Sequence, residues 1–249
     1  MIIIKRPDEI RQMRESCRMA ARVRDEIARR VAPGVTTGEL DREAAALIAA
    51  MGGRSAFLGY RGYPGTICLS IDAEVVHGVP GDRRIEFGQI VSIDVGVIYG
   101  GFVGDTSTTV MVGVTDPEVI RLVHTTQKAL AEGIGKARAG NRLSDISNAI
   151  ETTATAAGFS VVKNFVGHGI GRKMHEDPQI PNFGPPGRGP KLKVGMTLAI
   201  EPMINLGVGG TEVMSDGWTV LTEDRKPSAH FEHTIAIGER GPEVLTAIE

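Results

Sequence analysis

SIDVGVIYGGFVGDTS, residues 92–107, decides the fold. Val, Ile and Phe alternate with small residues on both sides of Tyr99-Gly100-Gly101, the signature of a β-hairpin closed by a glycine turn. Yet Asp94 and Asp105 sit inside the apolar arms. With Tyr99-Gly100 as the turn the two acids face each other squarely. With Gly100-Gly101 they are offset diagonally but still close. Like charges so placed repel. Ile93, Val95, Val97, Phe102 and Val103 argue against a solvated face. A buried carboxylate pair must either protonate or hold a cation between its members.

Working outward, the chain repeats itself once. A first helix opens near Pro7, a favoured first-turn residue, and its apolar stripe runs Ile10, Met13, Cys17, Ala20, Val23, Ile27, Val31 before Ala-Pro-Gly at 32–34. A second helix opens on the capping box Thr36-x-x-Glu39 and stops at Gly52-Gly53. Thr115-x-x-Glu118, with Pro117, predicts a third helix carrying Ile120, Val123, Leu130 and Ile134. A fourth runs from about Ser144 to Gly158. Gly34 to Gly52 and Gly140 to Gly158 are both 18 residues apart, and the two pairs are shifted by 106. GQIVSID (88–94) aligns with GMTLAIE (195–201), each ending an apolar run in an acid; Asp105 and Glu232 then open matching strands. The expected fold is α+β: one domain over 1–249 with pseudo-two-fold halves of about 1–113 and 114–249, helices covering one face of an antiparallel sheet. The Gly/Pro-rich stretch PNFGPPGRGPK (181–191) reads as a flap near a site or as a plain connection.

Composition excludes several classes of function. A formal charge of −2 gives no global field for DNA, and two cysteines are too few for a disulfide framework or a Cys-type zinc site. Only Met1 and three isoleucines precede the first charges, so no signal peptide is expected, and no apolar run is long enough to span a membrane. The expectation is a cytoplasmic monomer.

Four acids, two per half, converge if the halves face each other. His168, between glycines in VGHGIG, adds a nitrogen. An oxygen-rich set of Asp94, Asp105, His168, Glu201 and Glu232 suits two divalent ions such as Mn, Fe, Co or Zn, which polarise a carbonyl or phosphoryl oxygen and activate water. From the residues alone this is a dinuclear metallohydrolase.

The ordered set SIDVG, GDTS, GHGIGRKMHE, TLAIEPM, DGWTV, FEHTI closely resembles the type I methionine aminopeptidases, of the pita-bread metallopeptidases, over nearly the whole chain. That resemblance implies the pita-bread fold and removal of the initiator Met from new chains whose second residue is small. Asp94, Asp105, His168, Glu201 and Glu232 match the family's metal ligands, with Asp105 and Glu232 bridging both ions. Glu201 would also carry the proton from water to the leaving amine. His77 matches the histidine contacting the scissile amide, and His175 the one steadying the tetrahedral intermediate. Tyr60, Tyr63, Cys68 and Trp218 match the methionine pocket. Phe57 and Met174 stand where familiar relatives carry a cysteine and a phenylalanine. Glu201 and Glu232 are 31 residues apart, which leaves no room for the helical insertion of type II enzymes. The chain also begins almost at the catalytic domain, as expected of the short form without a zinc-binding extension.

Other residues read as structural: His124 on the third helix, His233 facing away from Glu232, and Cys17 in the first helix. Core packing competes with a pocket role for Trp218. Arg11, Arg14, Arg18, Arg22, Arg24, Arg29 and Arg30 make the first helix basic, either as a solvated face with ion pairs or as a dock on ribosomal RNA. Three rival functions were weighed: a proline-directed aminopeptidase, which carries an extra N-terminal domain; a metal-free binding homologue, which loses ligands; and a phosphoesterase, which needs cations near the acids.

Overall fold

In a computed structural model, which describes residues 1–248, four helices lie against one face of a nine-stranded sheet. Helix α1 (Pro7–Arg30) buries Met13, Cys17, Ala20, Val23 and Ile27 at spacings of three and four. Helix α2 (Thr37–Ala50) has the expected capping box: the Thr36 hydroxyl accepts from the Glu39 N–H at 3.1 Å, and the Glu39 carboxylate accepts from the Thr36 N–H at 2.8 Å. Helix α3 (Pro117–Lys136) departs from expectation. Its cap is Asp116, which accepts from the Glu118 N–H at 2.8 Å, not Thr115. Pro117 fixes its own φ and becomes the first helical residue, so the residue before it must be the cap. Helix α4 (Leu143–Ala156) starts one residue before Ser144. Gly34, Gly52, Gly140 and Gly158 all have positive φ, between 75° and 98°. The equal spacing in the sequence thus marks equivalent positions in the two halves: Gly34 and Gly140 in the turns that lead into α2 and α4, Gly52 and Gly158 at the left-handed ends of those helices.

The sheet pairs only antiparallel. Its central order is Cys68–Ile71, Ile90–Tyr99, Phe102–Met111, Glu232–Gly238, Thr197–Ile200, Gly167–Gly169. The first three strands come from the first half and the last three from the second, so the halves meet where Phe102–Met111 pairs with Glu232–Gly238. One apolar cluster lies under α1 and α2, another under α3 and α4, and a third joins Met13 and Cys17 to Phe102, Ala199 and Ala236 between them.

The hairpin turn is Gly100-Gly101. Tyr99 pairs with Phe102, and the two glycines have φ of 58° and 81°, the double positive φ of a type I′ turn. Asp94 therefore pairs with Ser107, and Asp105 with Gly96. The acids share a face on the diagonal, one pleat apart. Thr106 points the other way, where its hydroxyl accepts from buried Arg24 of α1 at 2.6 Å. Arg24 is thus no part of the solvated basic face expected of α1.

The 181–191 segment is a tethered connection. Gly187 N–H bonds to the Asp145 carboxylate and Arg188 N–H to the Ser144 hydroxyl, both at 2.7 Å, which ties it to the start of α4.

Helix α1 approaches the hairpin at Gly104, where an added Cβ would lie 2.4–2.5 Å from the backbone of Ser16 and Cys17. Such contacts force backbone shifts costing about 1–3 kcal/mol. Gly104→Ala is expected to lose at least that much in urea denaturation. Asp116→Ala should cost about 1 kcal/mol, the usual worth of an N-cap, whereas Thr115→Ala should change little. The reverse order would overturn the assignment of the cap.

Candidate metal centre

Sheet register assembles the candidate site around Ser107. Asp94 pairs with Ser107 from one neighbouring strand and Glu232 from the other. Asp105 lies two residues along on the same face. Glu201 follows the Thr197–Ile200 strand directly, and His168 pairs with Ala199 of that strand, so His168 and Glu201 point to one side. The glycines around His168 are required by close strand approach: a Cβ at Gly167 would lie 2.5 Å from the Ala199 carbonyl, and one at Gly169 2.1 Å from the Asp177 carbonyl.

The structure thereby brings all five expected ligands together at one cavity of about 280 Å³. Ligand atoms of Asp105, His168 and Glu232 lie within 4.8 Å of one another, and all three residues are buried. His168 Nε2 is 3.4 Å from Glu201 Oε1 and 3.8 Å from Asp105 Oδ2. Its Nδ1 lies 2.9 Å from the Gly169 carbonyl. As an N–H donor there, Nδ1 leaves the Nε2 lone pair aimed among the acids, the tautomer of a metal-ligating histidine.

The electrostatics demand a cation. Burial pushes Asp94 up to about 7. Burial first, then the neighbouring carboxylates, hold Asp105, Glu201 and Glu232 well above the carboxylate range. Arg24, behind the sheet, pulls Glu232 back only slightly. One oxygen each of Asp94, Asp105 and Glu232 is buried without a hydrogen-bond partner. Burial, and then the nearby His175, lowers His168 to about 3, so its imidazole is neutral and cannot pair the acids. Unpartnered carboxylate oxygens around a free imidazole lone pair fit one or more divalent ions and leave a protein-only arrangement unsatisfied.

Every residue expected to bind substrate lines the same cavity: Phe57, Tyr60, Tyr63, Cys68, His77, Met174, His175 and Trp218. Trp218 packs edge-on against Tyr63 at 5.2 Å and faces His77 at 6.4 Å, so wall and packing roles coincide. Phe57 and Met174 fill the space beside Gly96, where a Cβ would come within 2.6 and 2.8 Å of them. Cys68 stays a thiol, because burial and then Asp94 raise its pKa. His77 has a left-handed backbone, φ 60°, a strain tolerated mostly at functional positions. Its imidazole is lowered to about 4 by burial and then by His175. The Tyr60 hydroxyl and His175 Nδ1 are 2.9 Å apart.

Three neighbours escape the sequence reading. Phe165 and Arg61 also line the cavity. His230 is fully buried behind Glu201, its Nε2 unpartnered and 4.0 Å from Glu201 Oε2. The signal for His230 was its position two residues before Glu232, the strand period. His233 takes the opposite face, its Nδ1 2.8 Å from the Thr246 hydroxyl.

The profile of metallopeptidase family M24 matches residues 11–239. A methionine aminopeptidase of Clostridium perfringens is 49% identical over 249 residues, with 100% of both chains covered. Methionine aminopeptidase 1 of Bacillus subtilis is 46% identical over 248 residues, again with 100% of both covered. The crystal structure of methionine aminopeptidase from Thermotoga maritima superposes with a TM-score of 0.98 at 43% identity, covering 100% of each chain.

The raised Asp94 gives a pH test. Its unfolded-state pKa is about 3.9 and its metal-free folded value about 7. Between these the unfolded chain holds fewer protons, so Asp94 lowers stability as pH rises. The buried histidines have the opposite slope, but they are common to wild type and Asp94→Asn and cancel in the difference. The melting temperature of metal-free Asp94→Asn minus that of wild type should therefore climb from about pH 4 to about pH 7 and then level off. Mn²⁺ should raise the wild type more than the variant. A flat difference would refute the burial of an unpaired Asp94.

Proposed function

Since the chain belongs to metallopeptidase family M24, and within it to the methionine aminopeptidases, we propose that this cavity is where N-terminal methionine is hydrolysed from polypeptides whose second residue is small. The chain is a metal-dependent hydrolase of the pita-bread fold. The observation that carries the reading is the convergence of four carboxylates and one neutral imidazole at the side of a cavity otherwise walled by aromatic and sulfur side chains. Its volume of about 280 Å³ lies below the ~300–1,000 Å³ of drug-sized sites, a size for one residue.

Asp94, Asp105, His168, Glu201 and Glu232 would hold the metal, since their ligand atoms converge at this cavity. Bound divalent metal, whether Co, Mn, Fe or Zn, supplies an electrophile for the scissile carbonyl and makes water acidic enough to attack it. The methionine side chain sits against Tyr63, Cys68 and Trp218, with Phe57 and Met174 shaping the far wall; a thioether suits such polarizable surroundings. Glu201, whose side chain is 14% exposed against 6% for Asp105 and 8% for His168, takes the proton from water and returns it to the departing amine. His77 orients the scissile amide. With the Tyr60 hydroxyl donating to Nδ1, His175 carries its proton on Nε2 and donates to the carbonyl oxygen as negative charge develops there. We further propose that residues 1–249 act as one catalytic domain, a reading supported by a sheet whose strands alternate between no separate units but join the two halves edge to edge.

The working place proposed is the cytoplasm, on nascent chains. No described helix is long and apolar enough to cross a membrane. The basic face of α1 is proposed to dock on the ribosome. Arg14 pairs with Glu243, Arg18 with Glu15, and Arg29 and Arg30 with Glu26, so much of that charge is already offset. Loss of ribosome co-sedimentation on reversing the charge of Arg11, Arg14 and Arg18 is the expected result; unchanged co-sedimentation would remove the dock.

Protein reconstituted with Mn²⁺ or Co²⁺ should release Met from Met-Ala-Ser and leave a Xaa-Pro peptide and an aryl phosphate intact. Glu201→Gln should keep the native circular dichroism spectrum and lose about 10²-fold or more in kcat, the usual worth of a general acid–base. Full activity would remove Glu201 from its role.

A further inference from the structure

Of the residues lining the cavity, only Arg61 and His175 are exposed, so they mark its mouth. Inside, burial keeps His77 and His168 neutral, and the four carboxylates would be offset by two divalent ions once these are bound. Arg61 is left as the one full charge on the lining. Among the described residues its guanidinium makes no ion pair; its neighbour is the Tyr60 ring, 5.5 Å from ring centroid to guanidinium carbon. The backbone of Arg61 is left-handed, φ 49° and ψ 23°, inside a short turn between Gly59 (φ 78°) and Gly62 (φ 89°). A side chain there carries a steric cost that Gly or Asn would not. Its charge is felt at the reacting groups: after burial, Arg61 is what lowers the pKa of His175.

A polypeptide whose methionine lies inside the cavity must leave by the mouth, past Arg61. Its second residue is small and uncharged on the proposed function, so the third is the first that can carry an acid. Resting on that function, we propose that Arg61 is a specificity residue that selects substrates bearing a carboxylate just beyond the scissile bond. The carboxylate comes either from an Asp or Glu at the third or fourth residue or from the C-terminus of a short peptide.

Four peptides separate the sources: Met-Ala-Ser-Ser-amide, Met-Ala-Asp-Ser-amide, Met-Ala-Lys-Ser-amide and Met-Ala-Ser with a free C-terminus. At low salt the two carboxylate-bearing peptides should be cleaved with kcat/KM about 3–5-fold above the neutral amide, the range of an exposed ion pair, with the difference in KM. The lysine peptide should fall below the neutral one. Arg61→Asn, chosen because Asn tolerates the left-handed backbone, should bring the four ratios to one, and Arg61→Glu should invert them. Molar salt should flatten the wild-type ratios. An advantage confined to the Asp peptide assigns the side chain as the source, and one confined to the free C-terminus assigns the terminal carboxylate. Equal ratios in the wild type, or ratios that survive Arg61→Asn, overturn the role of Arg61. Failure to release Met from any peptide overturns the function instead.

Discussion

Repulsion among four buried carboxylates is the constraint on which this architecture turns. Each of Asp94, Asp105, Glu201 and Glu232 is raised chiefly by burial, and no side-chain cation pairs with them: Arg61 stands at the cavity mouth and Arg24 acts on Glu232 only from behind the sheet. A fold that crowds such groups has given up stability at the site, because a buried unpaired charge costs several kcal/mol if it stays ionised and forces protonation if it does not. What compensates is binding of cations, and the sheet register sets where they bind. Ser107 pairs with Asp94 on one side and with Glu232 on the other, which fixes these two acids across the strand between them.

The duplication explains why the cradle exists. Matching strands of the two halves lie side by side at the centre of the sheet, so the acid each half carries on its central strand, Asp105 or Glu232, meets its counterpart across one strand spacing. Neither half could hold a pair of ions alone. The outer acids, Asp94 and Glu201, sit one strand further from the pseudo-axis on equivalent strands. Two apolar cores lie beneath their own helix pairs, and the halves are joined by the sheet and by the smaller cluster that packs Met13 and Cys17 against Ala199 and Ala236.

Much of this was legible in the residues. The four helices follow from apolar spacing, caps and prolines, and the glycine pairs at 34/52 and 140/158 reported equivalent turns and helix ends because left-handed backbone favours glycine. The five acid and histidine positions were legible because carboxylates inside apolar runs contradict burial unless they bind something. The hairpin register was not, since Tyr-Gly-Gly supports two turns and only packing of both strands against α1 and the Glu232–Gly238 strand chooses between them. The cap of α3 was misplaced by one residue because a Thr-x-x-Glu pattern outweighed the stronger constraint of Pro117. Arg61 and His230 were invisible for a different reason. One is a loop residue whose role depends on where the mouth opens. The other is recognisable only once the strand is known to bend at Phe231, between Ser228–His230 and Glu232–Gly238.

The departures from symmetry give the site its direction. Next to Asp94 the flanking strand presents Cys68, a neutral thiol and a wall. The flanking strand of the other half presents His168, an imidazole lone pair among the acids. Two identical edges would make a symmetric cradle with no preferred side for substrate. Replacing a ligand by a wall on one edge opens room beside Asp94, which Tyr63, Trp218 and Phe57 line, while the opposite edge stays committed to holding charge. His77 and His175 then come from opposite halves, so the two histidines proposed to touch the scissile bond straddle the pseudo-axis. The symmetric part of the molecule thus concentrates charge, and its broken edges decide which way a peptide can lie across that charge.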